Sequence, residues 1–207
     1  MKQTTHVNSY YAATRNFTGD FPVLEQAVDC DVCVIGAGYT GLSSALFLAE
    51  AGYSVTVLEA AKVGFGASGR NGGQLVNSYS RDVDVIEERY GDKTAEVLGS
   101  MIFEGADIIR QRIQHYDIQC DYRPGGIFAA LNKKQLKGLA EQKSSWERYG
   151  NKNLKMLDAA EIKREVGCDN YVGGLLDLQG GHIHPLNLAL GEASAIIGLG
   201  GKIYEQS

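Results

Sequence analysis

The hydrophobic and polar positions of the 207-residue chain change period several times, most sharply between Asp31 and Glu59. Asp31-Val-Cys-Val-Ile35 is a short apolar run, and a glycine-rich hexad follows it. Leu42, Ala45, Leu46, Leu48 and Ala49 then recur at helical spacing, Ala51-Gly52 interrupts them, and Ser54-Val-Thr-Val-Leu-Glu59 returns to an apolar run. The pattern predicts a strand, a tight turn, a helix ending where a left-handed residue is wanted, and a second parallel strand.

Further along, a long helical region is predicted from Asp82, broken at Tyr90-Gly91 and restarted with Asp92 as N-cap. Val97, Leu98, Met101, Ile102, Ile108, Ile109 and Ile113 are expected on its buried face, with Glu96, Glu104, Asp107, Arg110, Gln111 and Gln114 mainly solvated. Cys120–Tyr122 and Ile127–Leu131 read as two short strands around Pro124-Gly-Gly126. Lys133–Tyr149 reads as an amphipathic helix that can bury Leu136, Leu139, Trp146 and Tyr149. Asp158-Ala-Ala-Glu161 has the form of a capping box, and Tyr171–Leu178 that of a strand. Pro185 suits the first turn of a helix running to Gly200-Gly201, after which Lys202–Glu205 begins a strand. Met1–Val28 shows no sustained period; its Tyr10, Tyr11, Phe17 and Phe21 suggest an arm packed on the domain, while the first eight residues read equally well as a disordered leader.

The hexad is Gly36-Ala37-Gly38-Tyr39-Thr40-Gly41. In a strand–turn–helix context this is the phosphate turn of a dinucleotide fold. Gly36 allows the turn, Gly38 lets backbone approach a pyrophosphate, Gly41 lets the helix lie on the sheet, and the phosphates sit at the positive helix start. Glu59, eighteen positions after Gly41, ends the second strand, where a carboxylate accepts hydrogen bonds from a ribose diol and repels a 2′-phosphate. The helix pattern and this acid make the motif much more specific than its glycines alone.

Composition narrows the class. Twenty basic against twenty-five acidic residues give a net charge of −5, which does not suggest a nucleic-acid surface, and 26 glycines against 3 prolines without a repeat fit an α/β enzyme. No stretch is long and apolar enough to span a membrane and no leader pattern opens the chain, so the protein reads as cytoplasmic. The four cysteines do not make a disulfide framework at this length. Cys30-x-x-Cys33 runs into the first strand, where residues three apart face opposite ways, so it reads as two strand cysteines. His182 and His184 flank Ile183 and could bind a metal or act as a base, but with no acidic or cysteine partner nearby they read as structural, and no metal is expected.

A second glycine-rich segment, Ala60-Ala-Lys-Val-Gly64-Phe-Gly66-Ala67-Ser68-Gly69-Arg70-Asn71-Gly72-Gly73-Gln74, follows Glu59. It is a poor helix or strand but a good loop for backbone amides to face a ligand, and it exceeds what NAD requires. A longer ligand ending in a planar polar ring system fits, and FAD is that ligand. These residues, with Asn77–Arg81, Asp121–Gly126, Glu147–Asn151 and Gly180–Asn187, resemble the FAD-dependent D-amino-acid-oxidase-like amine oxidases over nearly the whole chain from about Ser9.

The resemblance implies an α/β, Rossmann-like FAD-binding domain (a GxGxxG βαβ unit) with an inserted α+β substrate domain, incomplete at the C-terminus. The expected division is an arm over 1–29, the βαβ unit and flavin loop over 30–80, a substrate-domain portion over 81–180, and a return helix and strand over 181–207. A C-terminal half is expected to carry the closing strands, the rest of the FAD site and much of the substrate pocket. Gly36, Ala37, Gly38, Tyr39, Thr40 and Gly41 would hold the pyrophosphate region, and Glu59 with Ala60 the adenosine. Gly66, Ala67, Ser68, Arg70, Asn71, Gly72, Gly73 and Gln74 would approach the ribityl chain and flavin ring, Arg70 either offsetting cofactor charge or anchoring its loop. The implied activity is oxidation of a small-molecule amine to an imine that hydrolyses to aldehyde and ammonia, with oxygen reduced to peroxide; no catalytic base is assigned. A related oxidase of glycine, sarcosine or another small amino acid would need an arginine clamp, for which Arg81 and Arg123 are available. A truncated nucleotide-binding remnant without turnover is the non-enzymatic alternative, and an NAD dehydrogenase would leave Ser68–Gly73 unexplained.

Overall fold

The computed structural model describes residues 5–17, 19–79 and 83–207. They form two compact units: the first comprises the chain up to Gly73 with Gln111–Tyr122 and Ile183–Ser207, the second Gln74–Arg110 with Arg123–His182. Residues 111–122, read from sequence as part of a substrate-domain portion over 81–180, therefore fall in the first unit.

In the first unit, β1 (Val32–Ile35), β2 (Val55–Glu59) and β7 (Lys202–Glu205) form a parallel sheet in the order β1-β2-β7, with Val32 opposite Val55 and Val57 opposite Ile203. Helices α2 (Tyr39–Glu50) and α7 (Pro185–Gly198) pack against each other on it. The core joins Leu42, Ala45 and Leu46 of α2 to Val55 and Val57, to Leu186, Ala189, Ala193 and Ile196 of α7, and to Ile203. Gly52, at φ +87° beyond the C-cap Ala51, ends α2 as its spacing predicts. The short α1 (Tyr10–Ala13) belongs to the N-terminal arm, whose Tyr11, Phe17 and Phe21 pack against this core, Phe17 stacking on Phe21 at 5.4 Å. Residues 5–8 run without regular structure. Inside the unit Arg112 reaches the buried Glu192 at 3.2 Å and Ser43 Oγ at 2.7 Å, with its guanidinium 4.3 Å from the centre of the Phe47 ring. Burial raises the Glu192 carboxyl to about 7. β1 forms one edge of the sheet, and Ile35 is 77% exposed there.

The second unit is antiparallel. β6 (Gly173–His182) pairs with β4 (Arg123–Ala130), with β5 (Leu154–Asp158) and with the two-residue β3 (Gln74–Leu75). Helices α5 (Lys133–Arg148) and α6 (Ala159–Val166) pack on this sheet; the Trp146 and Phe128 rings meet edge-on at 5.6 Å, and Ile162 lies over Gly174, where a Cβ would be 2.8 Å from its Cδ1. Asp158 and Glu161 make the expected capping box, each side chain accepting the other's backbone N–H, at 2.8 and 3.0 Å.

A buried carboxylate, Asp177, accepts hydrogen bonds from Asn77 Nδ2 (2.7 Å), Asn151 Nδ2 (2.9 Å) and the Gln179 N–H (3.0 Å), tying three separate segments together. Three sequence expectations change. Cys120–Tyr122 is not a strand, and Pro124-Gly-Gly126 lies inside β4, where the register shifts between Pro124 and Gly126 instead of reversing. β3 and β5 carry too short an apolar signal and exist through pairing with β6. The helical region, α3 (Val83–Tyr90) and α4 (Asp92–His115), breaks where expected, while its start at Asp82 lies outside the described residues. α4 buries Ala95, Gly99, Phe103 and Ala106, whereas Val97 and Met101 are 60% and 52% exposed. The small residues lie on the buried stripe because they permit close approach: a Cβ on Gly99 would be 2.7 Å from the Tyr149 ring. Among the described residues no helix is long and apolar enough to cross a membrane.

Candidate functional site

The candidate site is built where β1 passes into α2. The N–H of Gly36 donates to Leu58 O at 2.7 Å, and Gly36 takes φ +99°, a conformation glycine reaches without strain. A Cβ on Gly41 would be 1.9 Å from Gly36 O but 3.4 Å from Val34 Cγ1. The need for glycine at 41 thus comes from the turn's own carbonyl, and its contact with the sheet is ordinary.

Glu59 closes the turn from the end of β2. Its Oε2 accepts the Ala37 N–H and its Oε1 the Ala61 N–H, both at 2.8 Å. A carboxylate offers about four acceptor sites, so both oxygens keep capacity for a ligand's hydroxyls while the group is held in place. The N–H groups of Thr40 and Gly41, as second and third helical residues, have no carbonyl four residues back within the helix, and they sit at its positive end.

Gly64-Phe-Gly66-Ala-Ser68-Gly69 is a second G-x-G-x-x-G hexad, leading into a 3₁₀ turn over Ala67–Gly69. The two hexads share a device. Gly64 has φ +68°, and a Cβ on Gly69 would be 2.2 Å from Gly64 O, as Gly41 relates to Gly36. The Gly64 N–H donates to Ala37 O at 2.9 Å, and Ser68 Oγ accepts the Tyr39 N–H at 2.9 Å, so the second hexad lies on the first. Gly64, Gly69 and Ala61 are the residues that sequence reasoning left out of the site; the repeated five-residue glycine spacing is the signal that marks the first two.

Asn71 organises the end of this loop. Its Nδ2 donates to Ser68 O and Ala67 O, and its Oδ1 accepts the Gly73 N–H. Arg70 donates to Phe65 O and covers the Phe65 ring at 4.9 Å, so of its two sequence readings the structure displays the loop anchor. The Tyr39 hydroxyl donates to Pro185 O at 2.9 Å, and burial pushes the phenol up to about 12. Thr40, Ala60, Gly66, Ala67 and Gly72 are exposed, and a Cβ on Gly36, Gly66 or Gly72 would meet nothing within 4 Å. The glycine loops therefore leave open space beside a helix start and an oriented carboxylate, an arrangement that fits a pyrophosphate-bridged nucleotide such as FAD. Gly73 is packed under Ile183 O, where a Cβ would approach to 2.2 Å. Gln74 is apart from the other candidates: it starts β3 in the second unit.

The histidines also divide. His182 is exposed at the end of β6, whereas His184 is buried and caps α7, its Nδ1 accepting the Asn187 N–H at 3.1 Å and its Nε2 lying 3.0 Å from Thr14 Oγ1. Burial lowers the His184 pKa, which suits a neutral capping acceptor. Cys33 lies exposed in β1, and Cys30 precedes the strand. Of the two arginines available to clamp a carboxylate, Arg123 opens β4 and is exposed, while Arg81 lies outside the described residues.

Comparison with known proteins gives the site its family. The chain is 66% identical over 204 residues to gamma-glutamylputrescine oxidoreductase of Escherichia coli (strain K12), covering 99% of this chain and 48% of that protein. It is 48% identical over 203 residues to the probable oxidoreductase OrdL of Haemophilus influenzae, covering 98% and 47%. It thus spans about half the length of the curated relatives it matches. Among solved structures, the L-amino acid deaminase of Proteus myxofaciens superposes with TM-score 0.73 at 23% identity, covering 90% of this chain and 41% of that one. The glycine oxidase of Geobacillus kaustophilus gives TM-score 0.65 at 20% identity, covering 86% and 46%. At those identities the two structures share the fold alone. The FAD dependent oxidoreductase family matches residues 31–207, from the start of β1 to the last residue, and this chain belongs to that family.

Proposed function

We propose that the complete protein is an FAD-dependent oxidase of a primary amine. The preferred substrate is gamma-glutamylputrescine, which would give gamma-glutamyl-aminobutyraldehyde, ammonia and hydrogen peroxide in putrescine breakdown. The observation that carries this reading is the 66% identity with the E. coli gamma-glutamylputrescine oxidoreductase across nearly the whole chain. When bound, FAD supplies the two-electron acceptor for amine oxidation and passes the electrons to oxygen.

The residues of this chain bind and orient. The amides of Thr40 and Gly41 face the pyrophosphate at the start of α2, and Glu59 accepts from the adenosine ribose while holding Ala37. The loop over Gly66–Gly73 approaches the ribityl and flavin end, with Asn71 and Arg70 maintaining its shape. A C-terminal part bringing the protein to the length of those relatives would carry the rest of the FAD site and most of the substrate pocket.

The test is a visible absorption spectrum of the purified complete protein, followed by anaerobic addition of gamma-glutamylputrescine. A flavin band that bleaches supports both cofactor and substrate. A band that bleaches with glycine or sarcosine, and not with gamma-glutamylputrescine, would replace the substrate class with an α-carboxylated amine. A complete protein without a flavin band would remove the cofactor from the reading.

A further inference from the structure

We propose that Ser68 is a positioning residue of the phosphate turn, capping α2 from the second glycine loop. The inference rests on the FAD reading only for its consequence, since the cap is visible in the protein itself. The N-cap position of α2 is Gly38, which has no side chain to accept an N–H. Ser68 Oγ supplies the missing acceptor, taking the Tyr39 N–H at 2.9 Å across 29 residues of sequence. Glycine at 38 is what admits the hydroxyl: a Cβ there would be 3.1 Å from Ser68 Oγ, tighter than ordinary contact.

Ser68 is itself held in place. Asn71 Nδ2 donates to its carbonyl at 2.9 Å, and Gly64 N–H to Ala37 O fastens the start of the same loop to the same turn. With the Tyr39 N–H already satisfied, Thr40 and Gly41 are left as the donors of the first helical turn for an anionic ligand. The hydroxyl thereby joins the loop assigned to the flavin end to the turn assigned to the pyrophosphate, so displacing one displaces the other. A direct hydroxyl–cofactor contact, the role sequence alone suggests, does not use the Tyr39 N–H.

The test is hydrogen exchange at the Tyr39 N–H in the flavin-free complete protein, paired with FAD affinity from quenching of flavin fluorescence. Ser68→Ala is expected to speed exchange about fivefold and to weaken FAD binding by a similar factor, the usual effect of losing a helix cap. Ser68→Thr, which keeps the hydroxyl, is expected to restore both. Gly38→Ala is expected to speed exchange in the native background and to add nothing in the Ser68→Ala background, because the new methyl acts by evicting the hydroxyl. Unchanged exchange in flavin-free Ser68→Ala overturns the proposal, as does faster exchange with unaltered FAD affinity. A native protein that takes up no FAD overturns the cofactor reading instead, while exchange at Tyr39 still decides whether Ser68 caps α2.

Discussion

Replacing Gly41 by alanine sets two opposed effects against each other at one helical position. Alanine is favoured over glycine inside a helix by about 1 kcal/mol, and Gly41 lies in the first turn of α2 without a positive φ. Against this, the added Cβ would lie 1.9 Å from Gly36 O, more than 1 Å inside the 3.0 Å that real Cβ contacts respect. The obstacle is backbone, with no rotamer to yield. Overpacking of this kind costs ~1–3 kcal/mol when side chains can move, and here the carbonyl can move only by opening the turn. The net expectation is a loss of roughly 2 kcal/mol or more, with FAD affinity reduced more than tenfold because the turn that opens is the one assigned to the pyrophosphate. Thermal unfolding of the complete flavin-free protein and FAD titration measure the two effects. Gly72→Ala, whose Cβ meets no protein atom, is the control for stability alone and is expected to stay within about 0.5 kcal/mol of the native protein. If Gly41→Ala matches that control in midpoint and the native protein in FAD affinity, the steric account of the turn is wrong.

The buried Glu192 carboxyl has a folded pKa of about 7, above the ordinary 4.5, so the native state holds a proton that the unfolded chain has released. Its stabilising contribution is therefore complete below about pH 4.5 and lost as pH rises through about 7, a change of ~3 kcal/mol at most. Glu192→Gln should flatten the decline of thermal midpoint between those limits, and a parallel decline in the variant would refute the assignment. Asp177→Asn replaces an acceptor of three N–H groups by one that must turn a donor toward at least one of them. A loss of roughly 2–4 kcal/mol, read as a lower urea midpoint, is expected, and an unchanged midpoint would show that the network contributes nothing.

What the amino-acid sequence determined by itself is what neighbouring residues settle among themselves. Glycine at 36 and 52, the helical period of Leu42–Ala49, the Asp158–Glu161 box and Pro185 at the start of α7 each act within one turn of backbone. The first strand–turn–helix–strand unit was therefore readable, while the family was marked by a resemblance whose motifs run on as far as Asn187. Residue type and periodicity also located both glycine loops and the acid at 59, which are most of the candidate site.

Tertiary structure decided the partners. β3 and β5 exist because β6 supplies their ladder, and Ala95, Gly99 and Ala106 are buried in place of Val97 and Met101 because only small residues allow what packs there to come close. Glu59 reaches back 22 residues to the Ala37 N–H, Ser68 reaches back 29 to Tyr39, and Asn77 meets Asp177 across 100. Such contacts leave no local trace, since propensity and period depend on nearby backbone whereas a side chain's hydrogen-bond partner depends on where distant backbone has been packed. The same physics divides the roles of Ser68 and Arg70. Sequence suggested a ligand for Ser68 and left Arg70 open between cofactor and loop anchor, and only the folded chain showed the first taking the amide of Tyr39 and the second lying across Phe65.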